Sequence, residues 1–186
     1  MEAFLLSTGL VAIAEIGDKT QLLTMLLVAR FRHPWVILAG VLTATVANHL
    51  VASAVGALVG DIFSGRWMKI VLGVGFIAFA IWSLVPDKID EDEAPRIGKR
   101  GVFVTTVIAF FLAEMGDKTQ VATVALAARF HTVLLVAAGT TAGMMLANAP
   151  AAFLSHKFAE RIPLHLVRWF GAACYAVLGV WTVLQG

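Results

Sequence analysis

The chain has 186 residues, of which 60% are hydrophobic and only 14% charged, and its mean hydropathy is +0.87. This composition excludes a water-soluble globule and indicates a protein of the lipid bilayer. The formal net charge of +2 gives no indication of a nucleic-acid partner, and none is expected.

Apolar runs of about 20 or more residues, the length that crosses roughly 30 Å of hydrocarbon, follow one another along the chain. We therefore predict an all-α integral membrane protein with six transmembrane helices. The predicted spans are 3–30, 35–59, 67–85, 102–129, 133–156 and 163–184. The first is taken as a mature span rather than a secretory signal, because no basic segment precedes it and acidic residues follow within it.

The first and fourth spans contain nearly the same polar sequence, AEIGDKTQ at 14–21 and AEMGDKTQ at 113–120. Its acids, Glu15, Asp18, Glu114 and Asp117, lie close to the middle of their spans. Each unsatisfied charge there costs about 2.5 to 3.5 kcal/mol, so these side chains must face each other or water rather than lipid. Helical spacing places the Glu, Asp and Lys of each copy on one face.

Glycine stands between the two acids of each copy, as Gly17 and Gly116. A glycine permits either close backbone approach or a local break that frees carbonyl oxygens. The first and fourth spans also run to about 28 residues, more than a crossing requires, which fits a tilted or interrupted helix.

A shift of 99 residues superimposes the two halves of the chain. It pairs the two acidic motifs and, further on, Gly40 with Gly139 and His49 with Asn148. We predict a first repeat at 1–85, an acidic cytoplasmic linker at 86–101 and a second repeat at 102–186. Because three spans per half is an odd number, the repeats have inverted topology, as in many secondary transporters.

Basic residues outside the motifs are distributed nine to three between the two sides of the predicted membrane protein. The first side carries Arg30, Arg32, Lys88, Arg96, Lys99, Arg100, Lys157, Arg161 and Arg168, and the second Arg66, Lys69 and Arg129. The positive-inside rule makes the first side cytoplasmic. Both termini are then expected outside the cytoplasm of a bacterial-type inner membrane.

The two motifs together carry a charge of minus two, which one divalent cation or two protons would neutralise. The donors on offer are hard oxygens without sulfur, a set that suits Ca²⁺ or Mn²⁺ better than Zn²⁺ or Cu²⁺ but does not rank the first two. The candidate metal ligands are Glu15, Asp18, Glu114, Asp117, Gln21, Gln120, Asn148, Thr20 and Thr119. The cation is expected as transported substrate, and no cofactor is expected.

Proton coupling is assigned to the same four acids and to His49, which could instead bind the metal or only bridge helices. Gly17, Gly116, Lys19 and Lys118 are given supporting roles. The two lysines are open to three interpretations: pairing with the Glu four residues earlier, capping backbone carbonyls, or direct participation in transport. Gly56 with Gly60, and Gly139 with Gly143, have the spacing of close helix contacts.

Four other interpretations compete with an exchanger. The acids and lysines could be polar contacts that hold helices together, but four carboxylates at equal depth in two matched copies are more than this needs. An intramembrane aspartyl protease is disfavoured because its G-x-G-D sequence is missing, so no enzyme activity is expected. A cation channel and an exporter of small organic cations or amino acids remain as alternatives.

The doubled E-x-G-D-K-T motif, with three spans per half and an acidic central segment, resembles the Gdt-type family of membrane cation/proton exchangers. The resemblance covers essentially the whole chain, and the family includes bacterial manganese exporters. It implies export of Mn²⁺, and in some members Ca²⁺, in exchange for protons. It also implies that Glu15, Asp18, Glu114 and Asp117 form the transport site in the membrane. Neither the sequence nor the resemblance decides whether the chain forms a homo-oligomer.

Overall fold

A computed structural model describes residues 1–62, 65–85, 101–153 and 164–184. These residues form eight helices and, within the described ranges, no strand. The helices are α1 (Glu2–Ala14), α2 (Lys19–Phe31), α3 (Pro34–Ile62), α4 (Arg66–Ser83), α5 (Gly101–Glu114), α6 (Lys118–Phe130), α7 (Val133–Phe153) and α8 (Leu164–Leu184). Nearly all of the predicted linker, and the predicted end of the fifth span, lie outside the described residues.

Four of the described helices, α3, α4, α7 and α8, are long and apolar enough to cross a membrane. They coincide with the second, third, fifth and sixth predicted spans. The first and fourth predicted spans are each divided into two short helices, α1 with α2 and α5 with α6. The all-α class is therefore confirmed, and of the two forms expected for the long spans the structure has the interrupted one.

Both interruptions are built in the same way. Gly17 and Gly116 have φ angles of 79° and 78°, in the left-handed region that residues with a side chain rarely adopt. The following residue in each copy, Asp18 or Asp117, has extended backbone angles and is the N-cap of the next helix. The glycine thus ends one helix, and the aspartate begins another in the middle of the predicted span.

Helices α3 and α7 each run beside the interrupted pair of the other half. Gly40 of α3 lies against Phe103 and Thr106 of α5, and Gly139 of α7 lies against Phe4 and Ser7 of α1. These two contacts are equivalent under the 99-residue shift, since positions 4 and 7 become 103 and 106. The internal repeat seen in the sequence therefore recurs in the helix packing.

Farther along, α3 approaches α6 closely. A methyl group at Gly56 would meet the carbonyl oxygen of Val124, and one at Gly60 would meet that of Ala128. Because α3 meets α5 near its start and α6 near its end, it runs in the same direction as the α5–α6 pair. Gly139 and Gly143 likewise lie against α1. The packing role predicted for both glycine pairs is confirmed.

Gly56→Ala is expected to lower the free energy of unfolding by about 1 to 3 kcal/mol, the usual cost of overpacking. The added Cβ would lie 2.2 Å from the Val124 carbonyl oxygen, which belongs to backbone and cannot rotate away. Thermal unfolding of the detergent-purified protein would measure the loss. The matched control is Gly9→Ala, because a Cβ there meets nothing within 4 Å. Equal melting temperatures for the two variants would contradict the proposed contact.

Candidate functional site

The two acidic motifs have the same local hydrogen bonds. The Gln21 side-chain oxygen accepts a hydrogen bond from the backbone N–H of Gly17 at 2.8 Å, and Gln120 does the same for Gly116 at 2.7 Å. This is a variant of the capping box, in which a side chain three residues after the N-cap bonds back to the chain before it. The motif G-D-K-T-Q is therefore a helix-start sequence, and the two Gln oxygens predicted as metal ligands are engaged within the motif.

Three of the predicted acids lie together. Carboxylate oxygens of Glu15, Asp18 and Asp117 are within 4.8 Å of one another, and all three side chains are buried. Glu15 accepts hydrogen bonds from the hydroxyls of Thr20, at 2.6 Å, and of Thr119. Acids and hydroxyls from both halves of the chain thus meet at one point, as the doubled motif predicts.

The N-termini of α2 and α6 begin at this cluster. Asp18 and Asp117 are their N-caps, and the Asp117 carboxylate accepts a hydrogen bond from the Thr119 N–H at 3.1 Å. The positive end of a helix dipole favours negative charge within its first turn. The broken helices therefore help to hold several carboxylates close together in the interior.

Lys19 forms an ion pair with Asp117, with 2.8 Å between the ammonium nitrogen and a carboxylate oxygen. The pair joins the two motifs, whereas the pairing considered from the sequence was with the Glu four residues earlier in the same motif. Counting Glu15, Asp18, Asp117 and Lys19 as ionised gives a local charge of minus two. This is the charge that one divalent cation neutralises.

Lys118, the repeat partner of Lys19, points elsewhere. Its ammonium group donates a hydrogen bond to the Val85 carbonyl oxygen at 2.8 Å and lies 6.0 Å from the centroid of the Trp82 ring. It thus reaches the carboxyl end of α4, in agreement with one of the three predicted roles, the capping of a backbone carbonyl. The two lysines of an otherwise repeated motif therefore differ in conformation.

Glu114 and His49 are buried but are not members of the three-acid cluster. Within the part of the chain that the structure describes, neither carboxylate oxygen of Glu114 and neither ring nitrogen of His49 has a hydrogen-bond partner. Glu114 remains close enough to interact electrostatically with Glu15, Asp18 and Asp117. His49 lies on α3 between Gly40 and Gly56, which contact α5 and α6 respectively.

Helix α7 packs against the start of α2 with its own polar side chains. Thr24 donates a hydrogen bond to the Asn148 side-chain oxygen at 2.6 Å, and Gln21 donates one to the Ala147 carbonyl at 3.0 Å. The predicted ligand Asn148 thus contacts the motif helix through Thr24. In the structure Pro150 lies within α7, so the helix continues through it.

Met144 is a residue at this site that the sequence interpretation missed. Its sulfur lies 3.9 Å from the Thr20 hydroxyl oxygen and 3.0 Å from the Asn148 amide nitrogen, and the side chain is fully buried. The expected ligand set contains no sulfur, whereas the structure places this thioether next to one of the predicted hydroxyl ligands. Two sequence signals could have identified Met144: its four-residue spacing from Asn148, and its alignment with polar Thr45 under the 99-residue shift.

A narrow cleft adjoins the cluster on the side where α4 ends and α8 begins. It is lined by Asp18, Lys118 and Thr119 of the motifs and by Ser83 and Arg168 of those two helices. Its free volume is about 20 Å³, close to one water molecule. The cleft therefore lies between the motif residues and the part of the bundle where α4 ends and α8 begins.

These features define a multi-pass helical membrane protein whose interior holds a cluster of carboxylates contributed by two copies of one motif. The chain belongs to the GDT1 family of divalent cation/proton antiporters, whose sequence model matches residues 3–91 and 102–186. The family resemblance noted from the sequence is thereby confirmed, and the chain is a transmembrane ion transporter rather than a member of an enzyme family.

Similar proteins occur in bacteria and plants. A protein of Vibrio cholerae described as a proposed manganese exporter is 45% identical over 183 residues, covering 98% of this chain and 90% of its own. A GDT1-like protein of Synechocystis is 28% identical and covers 98% of each chain. GDT1-like protein 4 of Oryza sativa is 25% identical over 94% of this chain and 70% of its own. No solved structure matches the chain.

Proposed function

We propose that this protein exports divalent cations, Mn²⁺ above all and Ca²⁺ as a second substrate, in exchange for protons. The observation that carries the proposal is the buried cluster of Glu15, Asp18 and Asp117, contributed by both motifs and accompanied by Lys19. Carboxylates in a dry interior must be neutralised, and a dehydrated divalent cation or protons can each do so. Exchange follows because the two compete for the same oxygens.

The proposed cation site consists of these three carboxylates with the hydroxyls of Thr20 and Thr119, which already contact Glu15. Glu114, Asn148 and the two Gln side chains join it only if the site rearranges, since in this structure the Gln oxygens bond backbone N–H groups. The four acids, with His49 close to the interrupted helices, carry the protons. No resident cofactor is needed for this exchange.

Alternating access is the proposed mechanism. The two halves, 1–85 and 102–186, act as inverted repeats joined by the cytoplasmic linker, in a bacterial-type inner membrane with both termini outside. The narrow cleft lined by Ser83 and Arg168 would then open toward the cytoplasm, since α4 ends on that side. The Vibrio cholerae relative supports manganese as the principal substrate, because its description names that ion.

A cation channel is the second candidate. The compact arrangement of three acids around one point favours a single deep binding site, whereas conduction favours weak binding at several sites. An exporter of organic cations is supported less, because the cleft beside the acids holds about one water molecule.

The test uses purified protein in sealed proteoliposomes with an imposed pH gradient. We expect Mn²⁺ to move against the direction of proton flow, with the internal pH changing at the same time. Mn²⁺ accumulation should cease when a protonophore collapses the pH gradient. Protein-free liposomes are the control. Metal flux that ignores the pH gradient would support a channel or uniporter, and the absence of Mn²⁺ and Ca²⁺ flux would return the organic substrate to consideration.

A further inference from the structure

We propose that Met144 is a specificity-determining residue whose thioether sulfur contacts the transported cation, so that the site prefers transition-metal ions over Ca²⁺ and Mg²⁺. The inference rests on the proposed function, because it concerns the same cation site. It adds a soft thioether donor to a set of ligands that otherwise consists of hard oxygens.

The geometry places the sulfur beside the carboxylate cluster. Met144 Sδ lies 3.9 Å from the Thr20 hydroxyl oxygen, which lies 2.6 Å from a carboxylate oxygen of Glu15. Two ligands of one ion are separated by up to about 5 Å, since each metal–ligand bond is about 2 to 2.6 Å long. The 3.9 Å between the Thr20 oxygen and the sulfur is therefore a separation that one cation bound by both of these atoms would span.

The surroundings hold the thioether in place. Met144 is fully buried, and the Asn148 amide nitrogen lies 3.0 Å from the sulfur while the amide also bonds the Met144 carbonyl at 3.1 Å. Asn148 in turn accepts the Thr24 hydroxyl hydrogen bond. A flexible side chain is thus directed at the motif by a continuous set of contacts, which a residue that only fills core volume does not require.

The repeat shows that this position belongs to the polar face of its helix. Under the 99-residue shift Met144 and Asn148 align with Thr45 and His49 of α3, which are both buried and polar. The two helices thus present a pair of donor side chains at equivalent positions. In α7 the first of the pair is a thioether, and sulfur is a donor that d-block ions accept far better than Ca²⁺ or Mg²⁺ do.

The experiment compares Cd²⁺ with Ca²⁺, two ions of similar radius that differ in their affinity for sulfur. Inhibition of Mn²⁺ uptake by each ion is measured in proteoliposomes for the wild type and for Met144→Leu, which conserves volume. We expect the ratio of Cd²⁺ to Ca²⁺ affinity to fall by about tenfold or more, the scale on which contacts around a metal site act. Ca²⁺ affinity should change by less than about twofold.

Met145→Leu is the matched control, because Met145 is the adjacent methionine and packs against a hydrophobic cluster instead of the motif. A second variant, Met144→Thr, introduces the residue type of the other repeat and should lower the ratio as Met144→Leu does. An unchanged ratio in both Met144 variants, with Mn²⁺ uptake intact, would overturn the proposal.

X-ray absorption of the Cd²⁺-loaded, detergent-purified protein supplies a readout that does not depend on transport. We expect a sulfur neighbour of Cd²⁺ in the wild type and in Met145→Leu, and its loss in Met144→Leu. Oxygen neighbours alone in the wild type would reject a role for Met144 even if Mn²⁺/H⁺ exchange is observed. A sulfur neighbour in a protein that moves no metal would instead reject the exchanger while retaining the site.

Discussion

Asp117→Asn is expected to lower the rate of Mn²⁺ transport at low Mn²⁺ concentration by at least about 30-fold while leaving the protein folded. The substitution keeps the size of the side chain and an oxygen that can accept the hydrogen bond from the Thr119 N–H. It removes the charge that pairs with Lys19 at 2.8 Å and one carboxylate of the three-acid cluster. Truncating one member of a fully buried charge pair costs about 2 to 5 kcal/mol, and because the Lys19 side chain is 27% exposed we take the lower end, which corresponds to about 30-fold, as the expected minimum loss.

The measurement is initial Mn²⁺ uptake by proteoliposomes at several Mn²⁺ concentrations, with protein folding checked by gel filtration. Asp61→Asn is the matched control, because Asp61 is exposed at the end of α3 and its carboxylate pairs with His131 instead. Asp18→Asn, the repeat equivalent, should behave like Asp117→Asn. Mn²⁺ transport that survives replacement of both aspartates by Asn would show that the cluster is not the transport site.

The doubled motif identified the acids of this site, and the structure shows that several of its residues also have a local role in the backbone. Gly17 and Gly116 supply the left-handed backbone, and the aspartates that follow them are N-caps. Such roles depend only on neighbours along the chain, so the eight residues of one motif are sufficient to define them. The sequence allowed the interruption as one of two forms, and it predicted the approximate meeting of the two motifs from the cost of leaving the acids in lipid, but it did not predict the N-cap role of the aspartates.

The sequence could not predict which groups of the two motifs pair with each other. Under the 99-residue shift Lys19 and Lys118 are equivalent, yet one pairs with Asp117 and the other with the Val85 carbonyl. Glu15 accepts hydrogen bonds from two threonines, whereas neither carboxylate oxygen of Glu114 has a hydrogen-bond partner among the described residues. A repeat can only predict equal environments, so these differences come from the particular way in which the two halves pack in this conformation.

Met144 illustrates a second limit. A methionine in an apolar span is normally a core residue, and only the tertiary contact with Thr20 places its sulfur beside the acids. The predicted ligands Gln21 and Gln120 illustrate the converse, because their oxygens bond nearby backbone N–H groups. Donor chemistry alone therefore identifies the candidates for a site, while the backbone geometry decides which donors face the cation.

The different conformations of the two lysines have a direct consequence if the halves exchange conformations during transport. In the opposite state Lys118 would pair with Asp18, and Lys19 would reach the Leu184 carbonyl, the repeat equivalent of Val85. The Lys19–Asp117 ion pair then stabilises the state observed here, and a Lys118–Asp18 pair stabilises the other. Removing one lysine should shift the population between the two states.

Lys19→Met is therefore expected to disfavour the observed state, and Lys118→Met to favour it. The reporter is Ser83→Cys, which lines the narrow cleft, in a chain where the native cysteine is removed by Cys174→Ser. Ag⁺, a thiol-reactive ion small enough for this cleft, is applied from the side at which α4 ends and should label this cysteine at least about tenfold more slowly in Lys19→Met, the change that 1.4 kcal/mol produces. Labelling in Lys118→Met should remain as fast or become faster.

Lys69→Met is the control for loss of a positive charge, because Lys69 is exposed near the opposite end of α4 and lines a different cavity. Parallel changes in the two motif variants would mean that the lysines act only on the local charge of the cleft. Opposite changes, with Lys69→Met unaffected, require two conformations that use the same pair of lysines in exchanged roles. Since the lysines are related by the internal repeat, such a result would connect the duplication of the sequence directly to the two states of an exchanger.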